Sequence, residues 1–110
     1  MTEQRTLLDL FATWRTSPYH PVLIDARDGR DVRFDQQHMT RWVAGIAKGL
    51  AGLGLGKGDR VALICGDRPE WHAVDFGALH AGAVDVPIYP TLLPYQVAAI
   101  LKDSGAAVVI

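Results

Sequence analysis

Apolar positions recur with helical spacing in the first half of the chain and gather into short runs in the second. Within residues 4–15, Leu7, Leu8, Leu10, Phe11 and Trp14 make one broad apolar face, which predicts a short helix. Ser17-Pro18 and His20-Pro21 end it, because proline disfavours helical geometry in the residue before it. VLIDARDGRDVRF, residues 22–34, holds two β-prone runs around Asp28-Gly29, a pair suited to positive φ, and predicts a β-hairpin. Met39, Trp42, Val43, Ile46, Ala47, Leu50 and Leu53 then fall at offsets 0, 3, 4, 7, 8, 11 and 14, one continuous helical stripe and the strongest periodic signal in the chain. Asp35 stands where it can accept from the free N–H groups of that helix's first turn. Gly45, Gly49 and Gly52 lie off the stripe, and each weakens the helix by ~1 kcal/mol relative to alanine. The expectation is that another backbone packs closely against them.

From Arg60 onward the pattern changes. VALIC (61–65), AVDVPI (83–88) and AAVVI (106–110) are short β-prone runs that read as buried strands. Between the first two lies a helix with Trp71, Val74, Ala78 and Leu79, preceded by Asp67 and Glu70 in a capping pattern and stopped at Gly82. After a turn rich in proline (Pro87, Pro90, Pro94), PYQVAAILKDSG reads as a further helix, with Val97, Ile100 and Leu101 inward and Gly105 at its end. The order β-α-β-α-β with short connections predicts a parallel sheet with right-handed crossovers. The fold class is therefore α/β: an N-terminal helix and hairpin (1–34), then a long helix leading into a β-α-β-α-β unit (35–110). The chain stops inside its last strand, which resembles a cut through a larger domain.

Composition narrows the function classes. At 110 residues, 49% apolar and 21% charged, the chain has the size and balance of one small soluble domain. A net charge of −1 offers no electrostatic attraction for nucleic acid or an anionic membrane surface. Cys65 is the only cysteine, so an internal disulfide and a CxxC site are excluded. The N-terminus lacks the basic start and apolar run of a signal peptide, and no stretch approaches ~18 uninterrupted apolar residues, so the expected setting is cytoplasmic.

GLGLGKGDRV, residues 52–61, invites comparison with phosphate-cradling loops. Such loops follow a strand and open a helix, so that free N–H groups and the positive dipole end face the anion. Here the glycines follow a long helix and precede a strand, which leaves carbonyls at the helix end. They are expected to supply a left-handed cap and a tight turn. Gly66-Asp67-Arg68-Pro69 has the polarity for an anion, but Asp67 and Glu70 put negative charge where it would sit. The carboxylate cluster and lysine that a phospho-accepting Asp67 would need are not evident. His20, His38, His72 and His80 show no metal-ligand spacing, and no His-Asp arrangement is placed beside Cys65. Trp14, Trp42 and Trp71 are expected in the core. The residues thus give no catalytic, cofactor-binding or metal-binding position.

Three stretches taken together resemble AMP-forming acyl-CoA synthetases. IAKGLAGLGLGKGDRVALICGDRPEW resembles their opening segment, in which a helix ending in L-x-x-x-G turns into G-D-R-V and P-E-W follows the strand. LHAGAVDVPIYPT, residues 79–91, is similar to their early A-G-A-x-x-x-P motif, and its I-Y-P-T version is similar to long-chain fatty-acid–CoA ligases. AAILKDSGAAVVI is similar to the next helix and strand. The family opens its first long helix with Thr-Tyr-x-Glu-Leu, where this chain has Asp35, Gln36, His38 and Met39.

The resemblance implies a fragment of a large N-terminal domain. The parent reaction would join a fatty acid to coenzyme A through an acyl-adenylate, using ATP and Mg2+. The family's phosphate loop, adenine and ribose contacts and catalytic lysine lie beyond the stretch represented here, so no ATP-handling residue transfers to a position of this chain. What transfers is structural, from Gly82 through Pro87 to Thr91. The expected partner is the remainder of the synthetase, with self-association of the isolated piece through exposed apolar surface or a sheet edge. A free-standing, non-catalytic α/β interaction module on the same frame is the alternative.

Overall fold

The computed structural model describes residues 6–18 and 23–110. It begins with α1 (Leu7–Arg15), closed at its start by a reciprocal cap: Thr6 Oγ1 accepts from the Asp9 amide at 3.2 Å and Asp9 Oδ2 accepts from the Thr6 amide at 2.9 Å. The hairpin follows as β1 (Leu23–Arg27) and β2 (Arg30–Phe34), antiparallel with Arg27 opposite Arg30. Its turn puts Asp28 at φ 52° and Gly29 at φ 70°, the paired left-handed residues of a tight hairpin turn. The outer ends of the expected elements, residues 4–5 and Val22, lie outside the described residues, as does His20.

Next comes α2 (Gln36–Gly52), capped by Asp35, whose Oδ1 accepts from the His38 amide at 2.7 Å. Met39, Val43 and Leu50 of the stripe are buried, whereas Trp42, Ile46 and Ala47 are half-buried. Leu53 departs from the expectation: the helix stops one residue earlier, and Leu53 is 69% exposed. Once the helical rotation ends, the inward position passes to Leu55, which packs with Leu50, Val61, Ala78 and Ala83. The close approach expected at Gly45, Gly49 and Gly52 is also corrected, since a Cβ at any of them would meet no atom within 4 Å. The tight contact with α2 lies at Gly77 of the next helix.

The second half forms a parallel sheet in the order β4-β3-β5, from β3 (Arg60–Ile64), β4 (Val84–Ile88) and β5 (Val108–Val109). Central β3 carries the core, with Val61, Ala62 and Leu63 fully enclosed. Helix α3 (Pro69–His80) joins β3 to β4 and packs along α2. Its start differs from the Asp67–Glu70 reading. Pro69, with φ preset for the first helical position, makes Arg68 the cap residue and leaves Asp67 outside on an exposed bend. Glu70 instead accepts from the Arg68 guanidinium at 2.7 and 3.2 Å.

Helix α4 (Pro94–Ser104) joins β4 to β5 and ends at Gly105, φ 63°. Val97, Ile100 and Leu101 are only half-buried, because the main packing of α4 is a light contact with β4. Arg60 ties the end of α4 to the sheet, its Nε donating to the Ser104 carbonyl at 2.7 Å. The three tryptophans are half-buried rather than core. Trp14 and Phe76 meet beside Phe11, Trp42 stacks on Phe34 at 5.8 Å, and Trp71 lies at the end of the sheet.

Candidate functional site

The glycine stretch runs from helix to strand, as its order in the chain requires. The last carbonyls of α2 are taken by the amides of Leu53, Gly54 and Leu55, the latter two at 3.0 Å from Ala51 O and 3.3 Å from Leu50 O. Gly54 (φ 87°) and Gly58 (φ 84°) turn the chain. The Gly58 amide donates to Gly82 O at 2.9 Å, and the Gly56 amide donates to Asp59 Oδ2 at 2.7 Å. Amides that a phosphate would need are thus engaged with protein oxygens, one of them a carboxylate.

A recess lies elsewhere, where β3 and β4 end. Parallel strands deliver their C-terminal ends and the loops after them to one rim, the usual place for a ligand in an open α/β sheet. A cleft of about 600 Å³ is lined there by Cys65, Gly66 and Asp67 after β3, Trp71 and His72 on the first turn of α3, and Pro87, Ile88, Tyr89 and Pro90 at the end of β4. Cys65 and His72, considered above as possible nucleophile and ligand, thus share one wall region. Among the described residues no hydrogen bond joins the two. Tyr89, which carries no signal in the sequence beyond the I-Y-P-T similarity, is exposed at the mouth.

His72 also borders an apolar hollow of about 290 Å³ formed by Leu10, Phe11, Trp14, Leu23 and Phe76. A third hollow between β1 and the start of α3 is charged. In it Arg27 chelates Asp25 and approaches Glu70 at 3.8 Å. The Arg27 hydrogen bond holds the Asp25 carboxyl below its ordinary range, and Arg68 does the same for Glu70. His38 and His80 are spent on other contacts. His38 sits edge-on to Trp42, and His80 Nδ1 lies 2.7 Å from Phe76 O.

Sequence reasoning missed one pair. Asp85 of β4 is half-buried, its Oδ1 sealed from solvent without a hydrogen-bond partner, and Asp75 of α3 is near enough to act on it electrostatically. Burial first, then the hydrogen bond and charge of Asp75, push the Asp85 carboxyl up to about 7, against a backbone hydrogen bond from Val86 that pulls it down. The available signal was an aspartate inside an otherwise apolar strand, AVDVPI.

The fit of a nucleotide can be judged from these residues. The described residues hold no group of three His, Cys, Asp or Glu side chains suited to a metal ion, and the glycine loop offers engaged amides. No step of phosphoryl chemistry follows from them.

Comparison with known proteins bears on the rest. The profile of the AMP-binding enzyme family matches residues 10–110. The chain is similar to the long-chain-fatty-acid–CoA ligase FadD13 of Mycobacterium tuberculosis, with 42% identity over 80 residues, 73% of this chain and 16% of that one. It is likewise 42% identical over 65 residues, 59% of this chain, to the uncharacterized protein Rv1549 of the same organism, of which they make up 37%. The solved fatty acid AMP ligase of Legionella pneumophila overlays 94% of this chain and 19% of that one, with a TM-score of 0.83 at 23% identity, which shows a shared fold. The chain thus spans about a sixth of the length of FadD13. With the element order, the parallel sheet and the matched residues in agreement, the chain belongs to the AMP-binding enzyme family.

Proposed function

We propose that this chain is the N-terminal part of a long-chain fatty-acid–CoA ligase, an enzyme that converts ATP, a fatty acid and coenzyme A into acyl-CoA, AMP and pyrophosphate. The observation that carries the reading is the family match over residues 10–110, together with 42% identity to FadD13 over 80 of them. Mg2+ and coenzyme A belong to the proposal as the parent's requirements, and cytoplasmic residence as its setting. Among the described residues no helix is long and apolar enough to cross a membrane. The role of this segment is architectural. It supplies a three-stranded parallel sheet with α2 and α3 packed beside it, on which the remainder of the synthetase builds. That remainder is its partner, and the isolated chain self-associates through its exposed apolar surface.

Two measurements test the reading. A chimera in which this chain replaces the matching N-terminal stretch of FadD13 is expected to form acyl-CoA from a long-chain fatty acid; a folded but inactive chimera would overturn the assignment. The 110-residue chain alone is expected to give no heat of binding with Mg-ATP, and micromolar affinity would contradict an architectural role.

A further inference from the structure

Strand β1 stands between two recesses. Leu23 borders the apolar hollow together with Leu10, Phe11, Trp14 and Phe76, and it borders the charged hollow as well, whose far wall is the start of α3. His72 lines both hollows and also the cleft at the strand ends. The strand is thus the partition between the hollows, and His72 is the point where all three recesses meet.

The hairpin forms a two-stranded sheet of its own, and such a pair is marginally stable at best without further packing. Leu23, Asp25 and Arg27 alternate onto one face; Leu23 and Asp25 are half-buried, whereas Ile24 and Ala26 on the other face are exposed. Arg27 stands opposite Arg30, a like-charge pair that weakens the hairpin tip unless an acid answers it. Two acids do. Arg27 Nε donates to both carboxylate oxygens of Asp25 at 2.9 Å, and its Nη2 reaches across the charged hollow to within 3.8 Å of Glu70 Oε2. That same oxygen accepts from Arg68 Nε at 2.7 Å, which fixes where the Glu70 side chain points. The hydrogen bonds from Arg27 and Arg68 hold the Asp25 and Glu70 carboxyls below their ordinary range, so the group stays fully charged at neutral pH. At the other end of the hairpin, Phe34 stacks on Trp42 at 5.8 Å and meets His38 at 5.0 Å, which anchors the base to the first turns of α2.

We propose that the hairpin is a flap hinged at Phe34-Asp35, and that Arg27, reaching from β1 to Glu70 on α3, is the ionic clip that holds it shut. Opening removes the partition, so that the apolar and charged hollows become one recess continuous with the cleft at His72. An exposed ion pair is weak and salt screens it, so this clip closes the flap without locking it.

The experiment measures flap position directly. Spin labels are placed by Ala26→Cys on the outer face of β1 and Lys48→Cys on α2, both exposed, in a Cys65→Ser background, and the distance distribution is read by pulsed electron paramagnetic resonance. A main distance with a minor longer one is expected at about 20 mM NaCl. The ratio of long to main population should rise by up to about fivefold at about 500 mM NaCl, where the Debye length has fallen to about 4 Å. Arg27→Gln and Glu70→Gln should each produce the same rise at low salt and lose the response to added salt, and the double variant should add nothing further. A single distance under every condition would overturn the flap. Two populations whose ratio ignores salt and both substitutions would overturn the clip, leaving the hairpin held by Leu23 alone. If either variant does not fold, the salt titration of the labelled chain decides the matter.

Discussion

Gly77 is where α2 and α3 come closest. A Cβ placed there would lie 2.5 Å from Ile46 Cγ2, 2.8 Å from Ile46 Cβ and 3.4 Å from Val43 O. Ile46 is β-branched and has essentially one helical rotamer, so it cannot swing aside without moving the backbone. Gly77→Ala gains ~1 kcal/mol of helix propensity but suffers overpacking of about 1–3 kcal/mol, and a net loss of stability is expected in urea denaturation. Gly45→Ala on the exposed side of α2 provides the contrast. With no atom within 4 Å of its new methyl group, it is expected to stabilise by about 0.5–1 kcal/mol. Both residues are helical glycines in the sequence, and nothing local distinguishes them. Asp85 was readable to a degree, as a charge in an apolar strand. Its partner Asp75, ten residues earlier and on a helix, was not.

The long helix α2 shows how far local rules reach at the scale of the element. Its stripe, its Asp35 cap and its glycine exit all appear where the residue types require them. Asp35→Ala should cost about 1 kcal/mol, read as a lower midpoint in thermal or urea unfolding, because the His38 amide loses its acceptor. Asp67→Ala should leave the midpoint within about 0.5 kcal/mol, since that side chain lies outside the helix on an exposed bend. The capping pattern at Asp67 and Glu70 misled because Pro69 between them has its own preference for the first helical position. Helix α4 illustrates a different limit. Periodicity correctly marks Val97, Ile100 and Leu101 as the apolar side, but how deeply a side is buried depends on what stands behind it. Here that is chiefly the edge strand β4.

For the whole molecule, the sheet has two edges and the apolar residues Tyr89, Leu93, Tyr95, Val109 and Ile110 are exposed around α4 and β5. The Cα radius of gyration is 15.1 Å. A compact chain of this length has about 13 Å, so the packing is more open than that of a closed domain. Exposed apolar side chains beside an unpaired strand edge favour association. Light scattering coupled to size exclusion is expected to show a mass that grows with concentration, and Val109→Lys, which puts a charge on the β5 edge, to reduce it. A constant monomer mass at high concentration would count against this expectation.

Helix and strand order, the hairpin turn at Asp28-Gly29 and the polarity of the glycine loop were already decided by residue order. Each depends on φ preferences, hydrogen-bond donors and side-chain period within a few neighbouring positions. The contact of Gly77 with Ile46, the nearness of Asp75 to Asp85, and the cleft that gathers Cys65, Trp71 and Tyr89 arose only when the elements docked. These depend on how far apart and at what angle helix and sheet come to rest, a distance set by all the packed side chains at once and encoded at no single site in the chain.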